Sequence, residues 1–313
     1  MPLDRQARRF LDMLAAGGAA DTGYAAVAQR RQALTDLSGW TAGEPPHIGA
    51  VRDDVLPGPN GPIPIRLYTP LGAAADPLPA MIFFHGGGWV AGGLDTHDGV
   101  CRRLANASGC RLVSVDYRLA PEHPFPAGIQ DAEAAVRALA GAADAYRIDA
   151  ARLGVAGDSA GAGLAAAVCQ QARASGPQIA FQLLICPILD VAAESASRVE
   201  LAEGYFLSRA TLERDLELYA PLMRDDPRVS PLRAVDLEGL PPAYIHVAEF
   251  DPFRDEGLAY AARLRAAGVA VAETRHEGMI HYFYAMPRVI VRAEAALTAM
   301  GEEIARRLTP DGR

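Results

Sequence analysis

The chain has 313 residues, 50% of them hydrophobic, and 30 Lys and Arg against 38 Asp and Glu give it a net charge of −8. The apolar content excludes a disordered chain, and an acidic balance without a basic run argues against a nucleic-acid-binding protein. The length fits one large α/β domain or two small ones. The four cysteines are scattered and show no metal-binding spacing, so we expect free thiols and no metal site. Free thiols are typical of a reducing compartment, and we therefore expect a cytoplasmic protein.

The N-terminal segment, residues 1–40, carries a helical amphipathic pattern. The arginines Arg8 and Arg9 stand before a short apolar stretch, as in a twin-arginine export signal, but Asp12 interrupts that stretch. No apolar run reaches the ~18–20 residues that a membrane-spanning helix needs. We therefore predict N-terminal helices, no export signal and no membrane span.

From residue 63 onward, short apolar runs alternate with helical patterns. The predicted strands are 63–68, 80–84, 111–115, 153–156, 182–186, 243–248 and 269–274. The predicted helices are 131–140, 162–174, 256–267 and 289–307. This alternation indicates an α/β fold, with a mostly parallel sheet and helices on both of its faces.

Residues 191–235 break this alternation, since they are rich in charge and carry a helical pattern over 207–219. We expect an insertion that lies over the C-terminal edge of the sheet, joined there by the N-terminal helices. The predicted organisation is therefore N-terminal cap helices in 1–45, an α/β core in 46–190 and 236–313, and a cap insertion in 191–235.

A serine flanked by glycines lies between a predicted strand and an Ala-rich helix. The segment Gly157-Asp158-Ser159-Ala160-Gly161 has the G-x-S-x-G pattern of a nucleophile elbow, whose tight turn leaves no room for side chains at the flanking positions. A plain strand-to-helix turn is the alternative. A dinucleotide fingerprint, G-x-G-x-x-A, also starts at Gly161, but its glycines fall inside the helix and no acidic residue ends a following strand.

A glycine run, His85-Gly86-Gly87-Gly88, follows the predicted strand 80–84. Alone it would indicate a flexible loop or an anion-binding nest. Together with a downstream G-x-S-x-G it matches the HGGG form of an oxyanion hole, in which backbone N–H groups approach a substrate oxygen. The amide of Ala160 is expected to complete that hole.

A serine nucleophile needs an orienting carboxylate, and in this order of elements it follows the serine in the chain. Asp251 lies just past the strand 243–248, where a C-terminal strand end places a side chain at the sheet edge. Asp255 and Glu256 fall at the start of the next helix, as ordinary capping charges. Asp158 points away from the serine in a sharp elbow. Asp251 is therefore the predicted acid.

The general base is sought among the three histidines that follow Ser159. His246 lies inside a strand and is expected in the core. His276 and His281 resemble a zinc motif, but their spacing is one residue too long for two ligands on one helix face. The loop after the last strand can return His281 to the elbow, so His281 is the predicted base and His276 a surface residue.

These motifs together resemble the hormone-sensitive-lipase family of α/β hydrolases, the microbial carboxylesterases called family IV. The resemblance is carried by HGGGW (85–89), DYRLAPE (116–122), GDSAG (157–161), DPFRDEG (251–257) and the late histidine at 281. It implies an eight-stranded sheet, a helical cap, and esterase activity on short acyl esters without metal or cofactor. It also places Ser159, Asp251 and His281 at the triad positions, and Gly87, Gly88 and Ala160 at the oxyanion hole.

The chain departs from this family after the catalytic histidine, where the family usually has Gly and this sequence has Tyr282. A tyrosine there either narrows the alcohol side of the site or packs with the aromatic residues that follow. The residues expected to line the substrate pocket are Trp89, Asp158, Tyr205, Phe206, Leu207 and Tyr282.

The predicted function is hydrolysis of a small-molecule ester by two-step acyl transfer, without nucleic acid or cofactor, and with a homodimer as a possible assembly. A lactonase or amidase would carry the same triad. A non-catalytic ligand-binding protein is the third hypothesis, because certain plant hormone receptors resemble this family. Those receptors lose the triad histidine, whereas His281 is present here.

Overall fold

A computed structural model describes residues 2–16, 26–73 and 76–308 of the protein. Within them, eight strands form one sheet in the order β1-β2-β4-β3-β5-β6-β7-β8. The strands are β1 (Ala50–Gly58), β2 (Gly61–Thr69), β3 (Leu78–Phe84), β4 (Arg111–Val115), β5 (Ile148–Asp158), β6 (Gln182–Ile185), β7 (Ala243–Phe250) and β8 (Val271–Ile280). The pairs β1–β2 and β2–β4 are antiparallel and the others are parallel. The predicted mostly parallel, eight-stranded sheet is confirmed.

Helices cover both faces of this sheet, as the alternating pattern predicts. They are α1 (Arg5–Ala16), α2 (Val27–Thr41), α3 (Asp98–Ser108), α4 (Ala127–Gly141), α5 (Ala160–Ser175), α6 (Ala196–Glu200), α7 (Arg209–Tyr219), α8 (Arg254–Ala266) and α9 (Arg292–Leu308). Along β3, Ile82 and Phe84 belong to one core cluster with α4, α5 and α8, whereas Met81 and Phe83 belong to another with α3 and α9. This is the period of two that a strand buried on both faces requires.

The structure differs from the predicted elements at the edges of the sheet. Strand β1 and helix α3 are not predicted at all, and β8 runs to Ile280, well beyond the predicted 269–274. β1 is largely exposed and contains Arg52-Asp53-Asp54, so its sequence lacks an apolar alternation. Its backbone pairs with β2, and the carboxylate of Asp53 accepts a hydrogen bond from Arg66 across the pair at 2.6 Å. Backbone pairing with the neighbouring strand, and not an apolar pattern, therefore determines where β1 and the second half of β8 form.

The insertion between β6 and β7 contains α6, α7 and a short 3₁₀ turn, Pro231–Arg233. The side chains of Ser195 and Ser208 accept hydrogen bonds from the first turns of α6 and α7, which fixes where both helices begin. Of the predicted N-terminal helical segment, α1 and α2 are described, and 17–25 lies outside the described residues. Across 2–16, 26–73 and 76–308, no helix combines the length and apolar character needed to cross a membrane.

Candidate active site

Ser159 stands at the sharp turn between β5 and α5. Its backbone has φ 53° and ψ −120°, a conformation that non-glycine residues rarely adopt. A Cβ added to Gly157 would lie 2.4 Å from the backbone of Gly161, and one added to Gly161 would lie 2.0 Å from the carbonyl oxygen of Phe84. Both glycines are therefore required by close backbone contacts, and the turn has the geometry of a nucleophile elbow.

The structure brings Ser159, His281 and Asp251 into one hydrogen-bonded row. The Oγ of Ser159 lies 3.0 Å from Nε2 of His281, and Nδ1 of His281 lies 2.7 Å from Oδ2 of Asp251. A carboxylate only accepts, so Nδ1–H of His281 donates to Asp251 and leaves Nε2 to accept from the serine hydroxyl. All three residues are buried. This is the arrangement of a Ser-His-Asp triad.

The sheet explains why residues so far apart in the chain meet. Strands β7 and β8 are parallel neighbours, with Phe250 paired to Ile280, and Asp251 and His281 are the residues that follow these two. The acid and the base therefore leave the same edge of the sheet side by side. The amide of Phe253 donates to Oδ1 of Asp251 at 2.8 Å and holds the carboxylate in place.

The glycine loop after β3 lies beside the serine. Gly87 and Gly88 have φ values of 119° and 66°, and a Cβ on Gly87 would lie 2.2 Å from the carbonyl oxygen of Ala91. Within the described residues, no acceptor receives a hydrogen bond from the amides of Gly87, Gly88 or Ala160. Three N–H groups next to Ser159 are thus available to a substrate oxygen.

A cavity of about 590 Å³ opens in front of Ser159 and His281. Its apolar wall comes mainly from α1, α2, α7 and the segment before α7. The apolar residues are Leu11, Leu14, Ala15, Ala33, Leu34, Leu37, Ile188, Phe206, Leu207, Leu212 and Tyr282. A second cavity, about 830 Å³ and bordered by Pro177 and Arg307, contains none of the catalytic candidates. The site next to Ser159 is therefore a mostly apolar chamber with a nucleophile at its base.

Two residues expected in the pocket lie elsewhere. Trp89 is buried behind the glycine loop, stacked on Tyr219 with ring centroids 4.5 Å apart. Tyr205 stacks on Phe250 at 5.5 Å. Neither residue is among those that border the cavity.

Comparison with known proteins identifies the family. A family model described as "alpha/beta hydrolase fold" matches residues 81–285. The chain belongs to the α/β-hydrolase family. The carboxylesterase NlhH of Mycobacterium tuberculosis is 43% identical over 245 residues, which cover 76% of each chain. The carboxylic ester hydrolase LipN of the same organism is 46% identical over 71% of this chain, and the alignment covers 61% of LipN.

A solved structure agrees with these relatives. The ester-hydrolase EH1AB1 from the metagenome of Lake Arreo is 44% identical, with a TM-score of 0.94 over 97% of this chain and 98% of that one. The resemblance to the hormone-sensitive-lipase family and the α/β-hydrolase fold are both confirmed.

Asp158 has a role in this hydrolase that its sequence position does not predict. It borders the cavity, but its carboxylate is fully buried. The carboxylate accepts hydrogen bonds from the amide of Gly86 at 2.8 Å and from the hydroxyl of Tyr284 at 2.7 Å, and its Oδ2 lies 3.3 Å from Nε2 of His97. Burial opposes ionisation, yet the interactions with His97, Tyr284 and Gly86 keep the pKa of Asp158 below its ordinary value. This carboxylate fixes the start of the glycine loop to the elbow.

Glu256 of the hydrolase is also more than a helix-capping charge. It is buried, lies 2.6 Å from Nε of Arg198 in α6, and accepts hydrogen bonds from the amides of Leu189 and Asp190. Burial raises the pKa of this carboxyl to about 7, although Arg198 opposes the shift. The pair ties the insertion to α8, which begins three residues after Asp251.

Tyr282 packs against neighbouring side chains and also borders the cavity. Its backbone is left-handed, with φ 66°, and its ring both borders the cavity and lies parallel to that of Phe206, with centroids 6.0 Å apart. Its hydroxyl forms a 3.0 Å hydrogen bond with Ser38 of α2. Burial raises the pKa of Tyr282 well above its usual range. The tyrosine is thus packed into the hydrolase and is also part of the cavity wall.

His276 is half-buried, whereas the sequence predicts a surface residue. Because β8 continues past it, its ring lies between those of His246 and Phe283, with centroids 5.4 Å and 4.9 Å away. Its Nε2 lies 3.2 Å from Nδ1 of His246, which is buried in the core as predicted. The pair belongs to the packing of the hydrolase and takes no part in the row formed by Ser159, His281 and Asp251.

This packing predicts acid sensitivity of the fold. Burial, with the nearby His246 and Arg292, lowers the pKa of His276 to about 3. Since the unfolded chain binds a proton near pH 6.5 and the native state does not, stability falls as the pH drops from about 6.5 toward 3. At pH 5 this loss is about 1–2 kcal/mol. We expect the Tm of His276→Gln to decrease less between pH 7.5 and pH 5 than the Tm of the unmodified protein, as measured by thermal unfolding.

The matched control is His123→Gln, at an exposed histidine, which should lose as much Tm on acidification as the unmodified protein. Equal acid sensitivity of both variants would contradict the role given to His276.

Proposed function

We propose that this hydrolase is a serine carboxylesterase acting on esters of short to medium acyl chains. The observation that carries the proposal is the hydrogen-bonded row of Ser159, His281 and Asp251 at the base of an apolar cavity. The relatives named carboxylesterase and carboxylic ester hydrolase support it.

In the first step, the Oγ of Ser159 attacks the ester carbonyl carbon while Nε2 of His281 takes the serine proton. Asp251 keeps the imidazole in the required tautomer and stabilises the imidazolium that forms. The amides of Gly87, Gly88 and Ala160 are proposed to donate to the oxyanion of the tetrahedral intermediate, and loss of one such donor costs about 3 kcal/mol of barrier. When the intermediate collapses, His281 gives its proton to the leaving alcohol and the acyl group stays on the serine.

The second step repeats this chemistry with water. His281 removes a proton from a water molecule, whose oxygen attacks the acyl carbon, and then returns the proton to the Oγ of Ser159 as the carboxylic acid leaves. Every proton moves through one imidazole, so the proposed cycle uses no metal ion or cofactor.

We propose that residues 1–45 and 191–235 form a cap over the 46–190 and 236–313 core. Their described parts supply Leu11, Leu34 and Leu212 to the cavity wall. A chamber roofed in this way admits a small ester more readily than a lipid aggregate. The homodimer and the cytoplasmic location stay predictions.

A substrate panel tests the function and the cap together. We expect kcat/KM for p-nitrophenyl esters to be highest between acetate and hexanoate and to fall for long chains, because the proposed cap and the cavity volume of about 590 Å³ limit the acyl chain. A serine-reactive phosphonate should label Ser159, as read by peptide mass spectrometry.

Lactones and aryl amides in the same panel decide between the esterase and the two other hydrolases. Faster turnover of a lactone or an amide than of the matched ester would replace the proposal. Faster hydrolysis of emulsified long-chain triglyceride than of soluble butyrate esters would contradict the enclosed chamber. Binding of esters without turnover would favour the ligand-binding protein.

A further inference from the structure

Two opposite charges in the wall of the mostly apolar cavity contact each other. Arg30 of α2 and Asp215 of α7 both border it, and an η-nitrogen of the arginine donates to Oδ2 of the carboxylate at 3.3 Å. The two side chains are 17% and 5% exposed. Charged groups taken out of water in this way need a specific reason, because their desolvation is costly.

The carboxylate of Asp215 is pressed against the glycine loop. A Cβ added to Gly88 would lie 2.0 Å from Oδ2 of Asp215 and 2.8 Å from its Cγ. Since a Cα–Cβ bond is about 1.5 Å long, Oδ2 is within about 3.5 Å of the Cα of Gly88. A negative charge therefore stands beside an amide that the proposed reaction uses to stabilise an oxyanion. Alone, it would oppose the charge that develops in the transition state.

Arg30 is the group that offsets this charge. In the part of the chain that the structure describes, the cations acting on Asp215 are Arg30 and Arg214, and Arg30 makes the hydrogen bond. Burial raises the pKa of Asp215 to about 6, while both arginines lower it. The Nε of Arg30 is buried without a hydrogen-bond partner among the described residues, so the guanidinium is held mainly through Asp215. Other titratable groups around the cavity are Arg8, Asp12, Asp158, Glu203, His281 and Tyr282.

We propose that Arg30 is a positioning residue of the reaction, supplying the counter-charge that keeps the Asp215 carboxylate from opposing the oxyanion at Gly88. The inference rests on the proposed acyl-transfer function. The ester is neutral in the ground state and the charge appears only in the transition state, so the effect of Arg30 falls on kcat and much less on KM.

The test compares Arg30→Met with the double variant Arg30→Met/Asp215→Asn, using p-nitrophenyl butyrate. We expect Arg30→Met to lower kcat roughly tenfold to a hundredfold with little change in KM. Adding Asp215→Asn should recover most of that loss, because it removes the charge that Arg30 offsets. The ratio of kcat in Arg30→Met to kcat in the unmodified enzyme should fall as pH rises and more Asp215 is ionised. In the double variant this trend should be absent.

The neighbouring arginine is a matched control. Arg31 donates to the carbonyl oxygen of Val90 at 2.9 Å and pairs with Glu122, so it anchors α2 to the core and does not touch Asp215. Loss of activity in Arg31→Met should not be recovered by Asp215→Asn. Where Arg30→Met fails to fold, Arg30→Lys and Arg30→Gln replace it, and only the lysine variant should retain most of the kcat.

A double variant no more active than Arg30→Met, or a loss confined to KM, would overturn the inference. Failure of the proposed function gives a different result, since the unmodified protein would then neither hydrolyse the ester nor react with a phosphonate at Ser159.

Discussion

Replacing Ser159 with Ala is expected to lower kcat about 10⁵–10⁶-fold while the protein stays folded. The serine hydroxyl is the nucleophile of the proposed mechanism, and its side chain forms a hydrogen bond with His281. The elbow itself depends on Gly157 and Gly161, which the substitution leaves in place. Steady-state kinetics with p-nitrophenyl butyrate measure the loss, and thermal unfolding shows whether the fold is kept.

The two histidines after the serine provide the control for this result. His281→Ala should lose activity to a similar extent. The base and the nucleophile act as one unit, so losing either costs about as much as losing both. His276→Ala should remain active, since that ring packs on His246 and Phe283. Substantial turnover in Ser159→Ala, or phosphonate label on another residue, would end the assignment of the nucleophile.

Asp251→Asn is expected to lower kcat about 10⁴-fold. The asparagine amide can donate toward Nδ1 of His281, which favours the tautomer with the proton on Nε2 and leaves no base for Ser159. The hydrogen bond from the amide of Phe253 can still be made to the side-chain oxygen, so the loop should keep its shape. Kinetics over a range of pH, with thermal unfolding as a check on the fold, measure the effect.

Asp255→Asn is the matched control four residues later. That carboxylate accepts a hydrogen bond from the amide of Ser197 at 2.8 Å and lies outside the row of catalytic candidates. Its replacement should change stability more than kcat. If the two variants lost activity equally, Asp251 would not be the orienting acid.

Much of the site was predictable because its signals are local. The elbow at Ser159 and the glycine loop at Gly87 and Gly88 are short patterns in which chemistry dictates the residue type, and their place after a strand can be read from periodicity. Asp251 was predictable for a related reason: it follows a predicted strand, and parallel strands end at one edge of a sheet. His281 was selected among the three histidines after Ser159, whereas its position directly after β8 was not predicted. The order of elements reduced the candidates to a few residues.

The remainder depends on contacts between distant parts of the chain. Arg30 and Asp215 are 185 residues apart, and neither stands in a recognisable motif. The buried network of Asp158 joins segments separated by 72 and 126 residues. The partial burial of His276 follows from how far β8 continues, and pairing with β7 determines that length. Long-range packing of this kind leaves no periodic trace in a single sequence.

The hydrogen bond between Tyr282 and Ser38, with the parallel packing of Tyr282 on Phe206, has a consequence for engineering this enzyme. The residue after the catalytic histidine is mechanically coupled to both α2 and the segment that precedes α7. Replacing the proposed cap by that of another esterase is therefore expected to disturb the imidazole itself, beyond any change in which substrates enter. Leu34 and Leu212 border the same cavity but take no part in that hydrogen bond or ring stack, so substituting them is expected to change the acyl preference with a smaller effect on the turnover number.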